Sequence, residues 1–287
     1  METIALTDGR DLEYLDLGDP DGRPVVFLHG TPGTAGCAAL FDDAARRQGV
    51  RLLAVSRPGY GRSTTTLPGL STVARDVGEL VGSLGIGELA VWGTSGGGPY
   101  ALAVGALLPD RVSRVAVVAG PAPYQQVAPE VLDAEDVRAL ELLAAGDADG
   151  AVAQVMPGVR RAFDGVSRLP PGEFAEAFAT MAPPNEHYFD SRPAEGATMF
   201  ADVHRALERY DGLIRDNLSW LGPWDVDLGA VVAPTQLHYG DADAMVPAVH
   251  GEWLDARLPT AALTIHAGAG HGDLTFGLAE DILSALR

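Results

Sequence analysis

The stretch Trp92-Gly93-Thr94-Ser95-Gly96-Gly97-Gly98-Pro99-Tyr100 decides how the rest of the chain is read. It follows Leu89 to Trp92, a short apolar run suited to a strand covered on both faces, and opens Pro99 to Leu108, whose spacing predicts a helix. A serine between two glycines at a strand-to-helix turn is the pattern Gly-x-Ser-x-Gly. In that turn Gly93 and Gly97 keep side chains out of a bend too sharp to admit them, and Ser95 is presented at the tip. A glycine-rich turn that binds an anion or simply packs tightly is the competing reading. The flanking strand and helix favour a nucleophile elbow.

Outward from this point, other short runs rich in β-branched residues read as strands: Val25 to Leu28, Leu52 to Val55, Val112 to Val118, Thr235 to Tyr239 and Ala262 to His266. At the start, Thr3 to Leu6 and Leu12 to Leu17 flank Asp8-Gly9, a dipeptide suited to a tight turn, and predict an antiparallel pair. Helical spacing recurs over Ala38 to Arg47, Val73 to Leu84 and Pro247 to Leu258, with Ser71 placed to cap the second of these. This alternation predicts an α/β fold, a mostly parallel sheet with helices on both faces. It stops near Gly120 and resumes near Ala233. Between them lie helical patterns over Val131 to Ala145, Glu173 to Met181 and Thr198 to Trp220, with proline breaks at Pro157, Pro170-Pro171 and Pro183-Pro184. The expected division is a core of 1–120 and 226–287 and a helical insert of 121–225.

A serine nucleophile needs a base, and the base needs an orienting acid. His271, in a glycine-rich loop after the last strand, is the candidate base, and the acid is Asp241 or Asp243, after the strand before it. The order serine, acid, histidine suits an elbow serine, and all of these residues follow strand ends, where an open parallel sheet places its sites. His29-Gly30-Thr31-Pro32-Gly33 also ends a strand. There the Thr31 amide, with that of Gly96, is placed to meet a developing oxyanion, Gly30 lets the backbone approach, and His29 is expected to hold the loop. Surface positions are expected for His187, His204 and His250, and strand interiors for His238 and His266. No zinc spacing and no Gly-x-Gly-x-x-Gly after the first strand are present, so neither a metal nor a dinucleotide is expected.

Composition narrows the field further. All 20 of the chain's Lys+Arg residues are arginine. That removes Schiff-base and pyridoxal-phosphate chemistry, and the P-loop lysine. A net charge of -19 opposes nucleic acid and anionic membranes. With one cysteine, Cys37, no internal disulfide can form. Met1 to Pro20 lacks the pattern of a secretory signal and no run reaches membrane-span length, so a soluble cytoplasmic protein acting on a small molecule is expected.

Taken together, His29-Gly-Thr-Pro-Gly33, Arg57-Pro-Gly-Tyr-Gly-Arg-Ser63, Gly93-Thr-Ser-Gly-Gly97, Gly240-Asp-Ala-Asp-Ala-Met-Val-Pro247 and Gly270-His271 resemble the α/β-hydrolase superfamily over nearly the whole chain. The resemblance implies an eight-stranded, mostly parallel sheet with a helical cap inserted after strand six. It favours Asp243 as the acid, three residues before Val246-Pro247. Relatives that carry the acid after strand six are not matched, because Ala119 to Tyr124 contains no carboxylate. Two departures stand out. Ser56 replaces the Asp that many relatives have before Arg-Pro-Gly, and Gly96 replaces the bulky residue that proline iminopeptidases carry after the serine. Ser95 argues against the aspartate-nucleophile epoxide hydrolases and haloalkane dehalogenases, and the lack of lysine against hydroxynitrile lyases.

The expected function is hydrolysis of a small or medium carboxylic ester through an acyl-enzyme, without a cofactor. The same scaffold also serves amidases, lactonases, thioesterases, C–C hydrolases and non-hydrolytic enzymes. A ligand receptor of low turnover is the reading from another class.

Overall fold

The computed structural model describes residues 1–181, 183 and 186–287. The second half of the Pro183-Pro184 break lies outside them. Among the described residues, eight strands form one sheet: β1 (Glu2–Ala5), β2 (Asp11–Gly18), β3 (Arg23–Leu28), β4 (Val50–Val55), β5 (Leu89–Thr94), β6 (Val112–Val118), β7 (Thr235–Gly240) and β8 (Ala261–His266). Their order is β1-β2-β4-β3-β5-β6-β7-β8. The pairs β1/β2 and β2/β4 are antiparallel, and all other neighbours are parallel. The Asp8-Gly9 turn closes the first hairpin, with Gly9 at φ 85.

Outside the insert, the helices are α1 (Asp42–Gln48), α2 (Leu70–Ser83), α3 (Gly98–Leu107), α10 (Val249–Asp255), α11 (His271–Thr275) and α12 (Ala279–Leu286). Side chains alternate along a strand, so each buried strand feeds two cores. Val26, Leu28 and Val91 pack with Val77 and Leu80 of α2, Leu102 of α3 and Leu254 of α10. Val25, Phe27 and Trp92 point the other way, to Ala45 of α1 and Ile282 and Leu283 of α12. Continuous apolar runs, rather than alternation, are what this two-sided burial requires.

The helical insert lies between β6 and β7. It comprises α4 (Tyr124–Val127), α5 (Ala134–Ala144), α6 (Ala148–Phe163), α7 (Pro171–Ala179), α8 (Pro193–Ala206) and α9 (Asp211–Leu221). Several local expectations need correction. Pro157 lies inside α6 and does not end it; the lost amide bond is tolerated while Ala151, Val155 and Val159 pack on Ile214 and Leu218. The predicted Thr198 to Trp220 helix is two helices, and the break lets Val203, Leu207 and Leu213 meet Phe174 in one cluster. Ser71 is not an N-cap, because α2 begins at Leu70. Instead Asp225 accepts from the Leu70 amide (2.8 Å) and the Ser71 hydroxyl (2.6 Å), capping the helix from the far end of the insert. Finally, His250 is buried rather than on the surface: its Nδ1 accepts from the Ala122 amide at 3.0 Å, and burial pushes its pKa down to about 4. Of the other two, His187 is exposed beside Asp190, while His204 is half-buried and stacked on Phe174.

Candidate active site

Strand β5 runs into a tight turn, Ser95–Gly97, and then α3. Ser95 takes φ 48, a left-handed backbone that non-glycine residues rarely adopt. The turn is possible because its neighbours lack side chains. A Cβ on Gly93 would lie 2.5 Å from the Gly97 carbonyl oxygen, and one on Gly97 would lie 2.0 Å from that of Leu28. The result is a serine lifted off the end of the central strand.

The structure brings Ser95, His271 and Asp243 together. Asp243 Oδ1 accepts from the amides of Met245 (2.8 Å) and Val246 (2.9 Å), which leaves Oδ2 to face His271. His271 Nδ1–H donates to that oxygen at 2.8 Å. Because a carboxylate only accepts, this sets the tautomer and leaves Nε2 to accept from the Ser95 hydroxyl at 3.0 Å. Asp243 and His271 are both buried. Asp241 stands apart: its carboxylate accepts from the Gly268 amide at 2.6 Å and ties the two loops together. Such a relay can carry a proton from a hydroxyl to an imidazole while the carboxylate stabilises the cation that forms.

Thr31 and Gly96 lie side by side next to Ser95. A Cβ on Gly96 would stand 2.4 Å from Thr31 Oγ1, and one on Gly30 would stand 3.4 Å from the Ser95 Cβ. His29 is fully buried; its Nδ1–H donates to the Gly30 carbonyl at 2.7 Å and its Nε2 accepts from the Arg57 amide at 3.2 Å. Burial, together with Arg57, holds its pKa well below the usual value, so the ring is neutral and serves the loop.

Several residues outside the quoted motifs complete the surroundings. Asp216 of α9 is buried and accepts from Thr31 Oγ1 (2.5 Å), Tyr60 (2.9 Å), Tyr100 (2.8 Å) and the Arg57 guanidinium. Burial works against the charge of Arg57, but Asp216 outweighs it and the guanidinium is held above its usual range. Trp220, one turn further along α9, packs on Gly96. Glu186 of the insert accepts from the amides of His271 (2.6 Å) and Gly272 (2.8 Å).

The Ser56 departure also has its counterpart here. Ser56 Oγ donates to Glu13 of β2 (2.8 Å), which is buried and also accepts from Arg62 and Arg205. Nearby, Asp202 of α8 accepts from the Thr34 amide (2.8 Å) and hydroxyl. Burial, only partly offset by those bonds, pushes its carboxyl up to about 6. None of these acids carried a motif, and no local signal marked them.

His238 and His266 meet across β7 and β8, Nδ1 to Nε2 at 3.0 Å. Among the described residues, no group of three or more His, Cys, Asp or Glu is placed to hold a metal, and no helix is long and apolar enough to cross a membrane.

A family model described as alpha/beta hydrolase fold matches residues 23–278. The chain is 34% identical to a non-heme chloroperoxidase of Streptomyces lividans, over 43% of its own length and 46% of that protein, so it spans less than half of that relative. It is 26% identical to a non-heme haloperoxidase of Rhodococcus erythropolis over 96% and 94%. Among solved structures, an esterase from Exiguobacterium antarcticum superimposes with TM-score 0.69 at 20% identity, covering 99% and 98%. An enol-lactonase from Burkholderia xenovorans LB400 does so with TM-score 0.67 at 17% identity, covering 99% and 97%. At such low identities these superpositions establish the fold. With the family model spanning most of its length, this chain belongs to the α/β-hydrolase fold family.

Proposed function

We propose that the protein is a serine hydrolase of small or medium carboxylic esters, working through an acyl-enzyme intermediate. The observation that carries this reading is the unbroken relay from Ser95 Oγ through the His271 ring to Asp243, at 3.0 and 2.8 Å. His271 takes the Ser95 proton as Oγ attacks the ester carbonyl carbon, and Asp243 steadies the imidazolium. The carbonyl oxygen, now negative, is met by the main-chain amides of Thr31 and Gly96; one such donor is worth about a hundred- to a thousandfold in rate. Collapse of the tetrahedral intermediate expels the alcohol, which leaves with the proton from His271. Water, deprotonated by the same histidine, then attacks the acyl-serine and releases the acid.

In this reading residues 121–225 are a cap over a core of 1–120 and 226–287. The cap carries 18 acidic side chains against 8 arginines, a balance that disfavours polyanionic substrates. The substrate is a small molecule met in the cytoplasm, and the steps above draw on no cofactor.

The test is Ser95→Ala. Hydrolysis of short p-nitrophenyl esters should fall to background while the circular dichroism spectrum is unchanged, and a fluorophosphonate probe should label the parent protein but not the variant. Turnover within tenfold of the parent would end this reading.

A further inference from the structure

We propose that Asp216 is a positioning residue of the oxyanion hole: supplied by the insert, it holds Thr31 so that the main-chain amide of that residue is set for the developing oxyanion. The inference deepens the serine-hydrolase reading and rests on it.

Three observations carry it. First, Asp216 and Arg57 are both buried, with side chains 3% and 0% exposed. Between them they hold three consecutive residues of the loop after β3. Arg57 donates to the carbonyls of His29 and Gly30. Thr31 Oγ1 accepts from Arg57 Nη2 at 2.9 Å and donates to Asp216 Oδ2 at 2.5 Å. The hydroxyl of Thr31 therefore has its donor and an acceptor site both engaged, in a place where a shifted loop would leave charge unpaired at high cost.

Second, Asp216 gathers partners from separate parts of the core: Thr31 after β3, Tyr60 in the Arg57 loop and Tyr100 in α3, the helix that starts at the elbow. A carboxylate bound in this way has one orientation, and it passes that orientation to Thr31, beside Gly30 and Gly96 at Ser95. Third, the same helix sends Trp220 onto Gly96, one turn beyond Asp216. Both amides assigned to the oxyanion thus rest on α9. A buried ion pair adds little stability compared with apolar packing of the same shape. Orientation of the loop accounts for its presence here.

The experiment compares Thr31→Val with Thr31→Ser, because valine keeps the shape and the amide but lacks the hydroxyl that reaches Asp216. On a short p-nitrophenyl ester, kcat of the valine variant should be at least tenfold below that of the serine variant, with KM within threefold. Asp216→Asn should move kcat in the same direction; should it fail to fold, the Thr31 pair still decides. A purely structural role would lower thermal midpoints without separating valine from serine in kcat. A valine variant within tenfold of the serine variant overturns the proposal. Parent protein that neither turns over ester nor takes up the fluorophosphonate at Ser95 overturns the serine-hydrolase reading itself, which keeps the two failures distinct.

Discussion

The six-membered ring of Trp220 stands where a side chain on Gly96 would have to go: a Cβ there would lie 2.2 Å from Trp220 Cζ3. The residue after the elbow serine has no side chain, and an aromatic from the insert fills the space. The insert is therefore packed into the turn that carries Ser95, and it does more than cover the sheet.

Gly96→Ala should accordingly be costly. Overpacking of a buried contact of this kind costs about 1–3 kcal/mol, and we expect a lower thermal midpoint together with a kcat reduced by roughly tenfold or more, in line with displacement of one oxyanion donor. Combining it with Trp220→Leu should recover part of both losses. Urea melts of the single and double variants should give a coupling energy of about 1 kcal/mol or more; additive effects would contradict the contact.

The two carboxylates after β7 should separate cleanly. Asp243 binds the His271 ring, whereas Asp241 binds the Gly268 amide. If Asp243 sets the tautomer, Asp243→Asn should lower kcat by about 10³- to 10⁴-fold. Asp241→Asn, which keeps an acceptor for Gly268, should stay within a few-fold. Equal effects in steady-state assays of the two variants would refute this assignment.

Asp202 should make stability depend on pH in an unusual direction. Its folded pKa of about 6 lies above the ordinary 3.8, so the folded state holds the proton more tightly than the unfolded state between these values. Stability from this group is therefore greatest below about pH 4 and declines as pH rises toward 6, with a slope approaching about 1.4 kcal/mol per pH unit. Asp202→Asn should remove that decline. Urea melts at pH 4.5 and 7.5 check it: the difference between parent and variant should change between the two, and a constant difference would refute the assignment.

Much of the frame was legible in the residues. The inner strands β3, β4 and β5 followed from short apolar runs, because burial on both faces leaves little room for polar positions, whereas the first two strands were read from the segments that flank Asp8-Gly9. The elbow was legible because a bend that brings Gly97 against the Leu28 carbonyl admits only glycine. Helix ends in the insert were read less well. The Pro157 signal was overridden by packing, and the break between α8 and α9 depends on which cluster each half joins. The cap of α2 was misplaced for a related reason, since its acceptor is 155 positions away in Asp225.

By itself, then, the sequence determined the α/β alternation, the position of Ser95 on a strained turn, and a short choice of partners, Asp241 or Asp243 with His271, because each of these is dictated by neighbours in the chain. Tertiary structure alone decided that Asp216 reaches Thr31 across 185 positions, that Glu186 holds the His271 loop across 85, and that Glu13 accepts from Ser56 across 43. The reason is physical. A backbone bend is a local steric problem with a local signature, whereas a buried charge needs partners close in space and places no constraint on their distance in sequence.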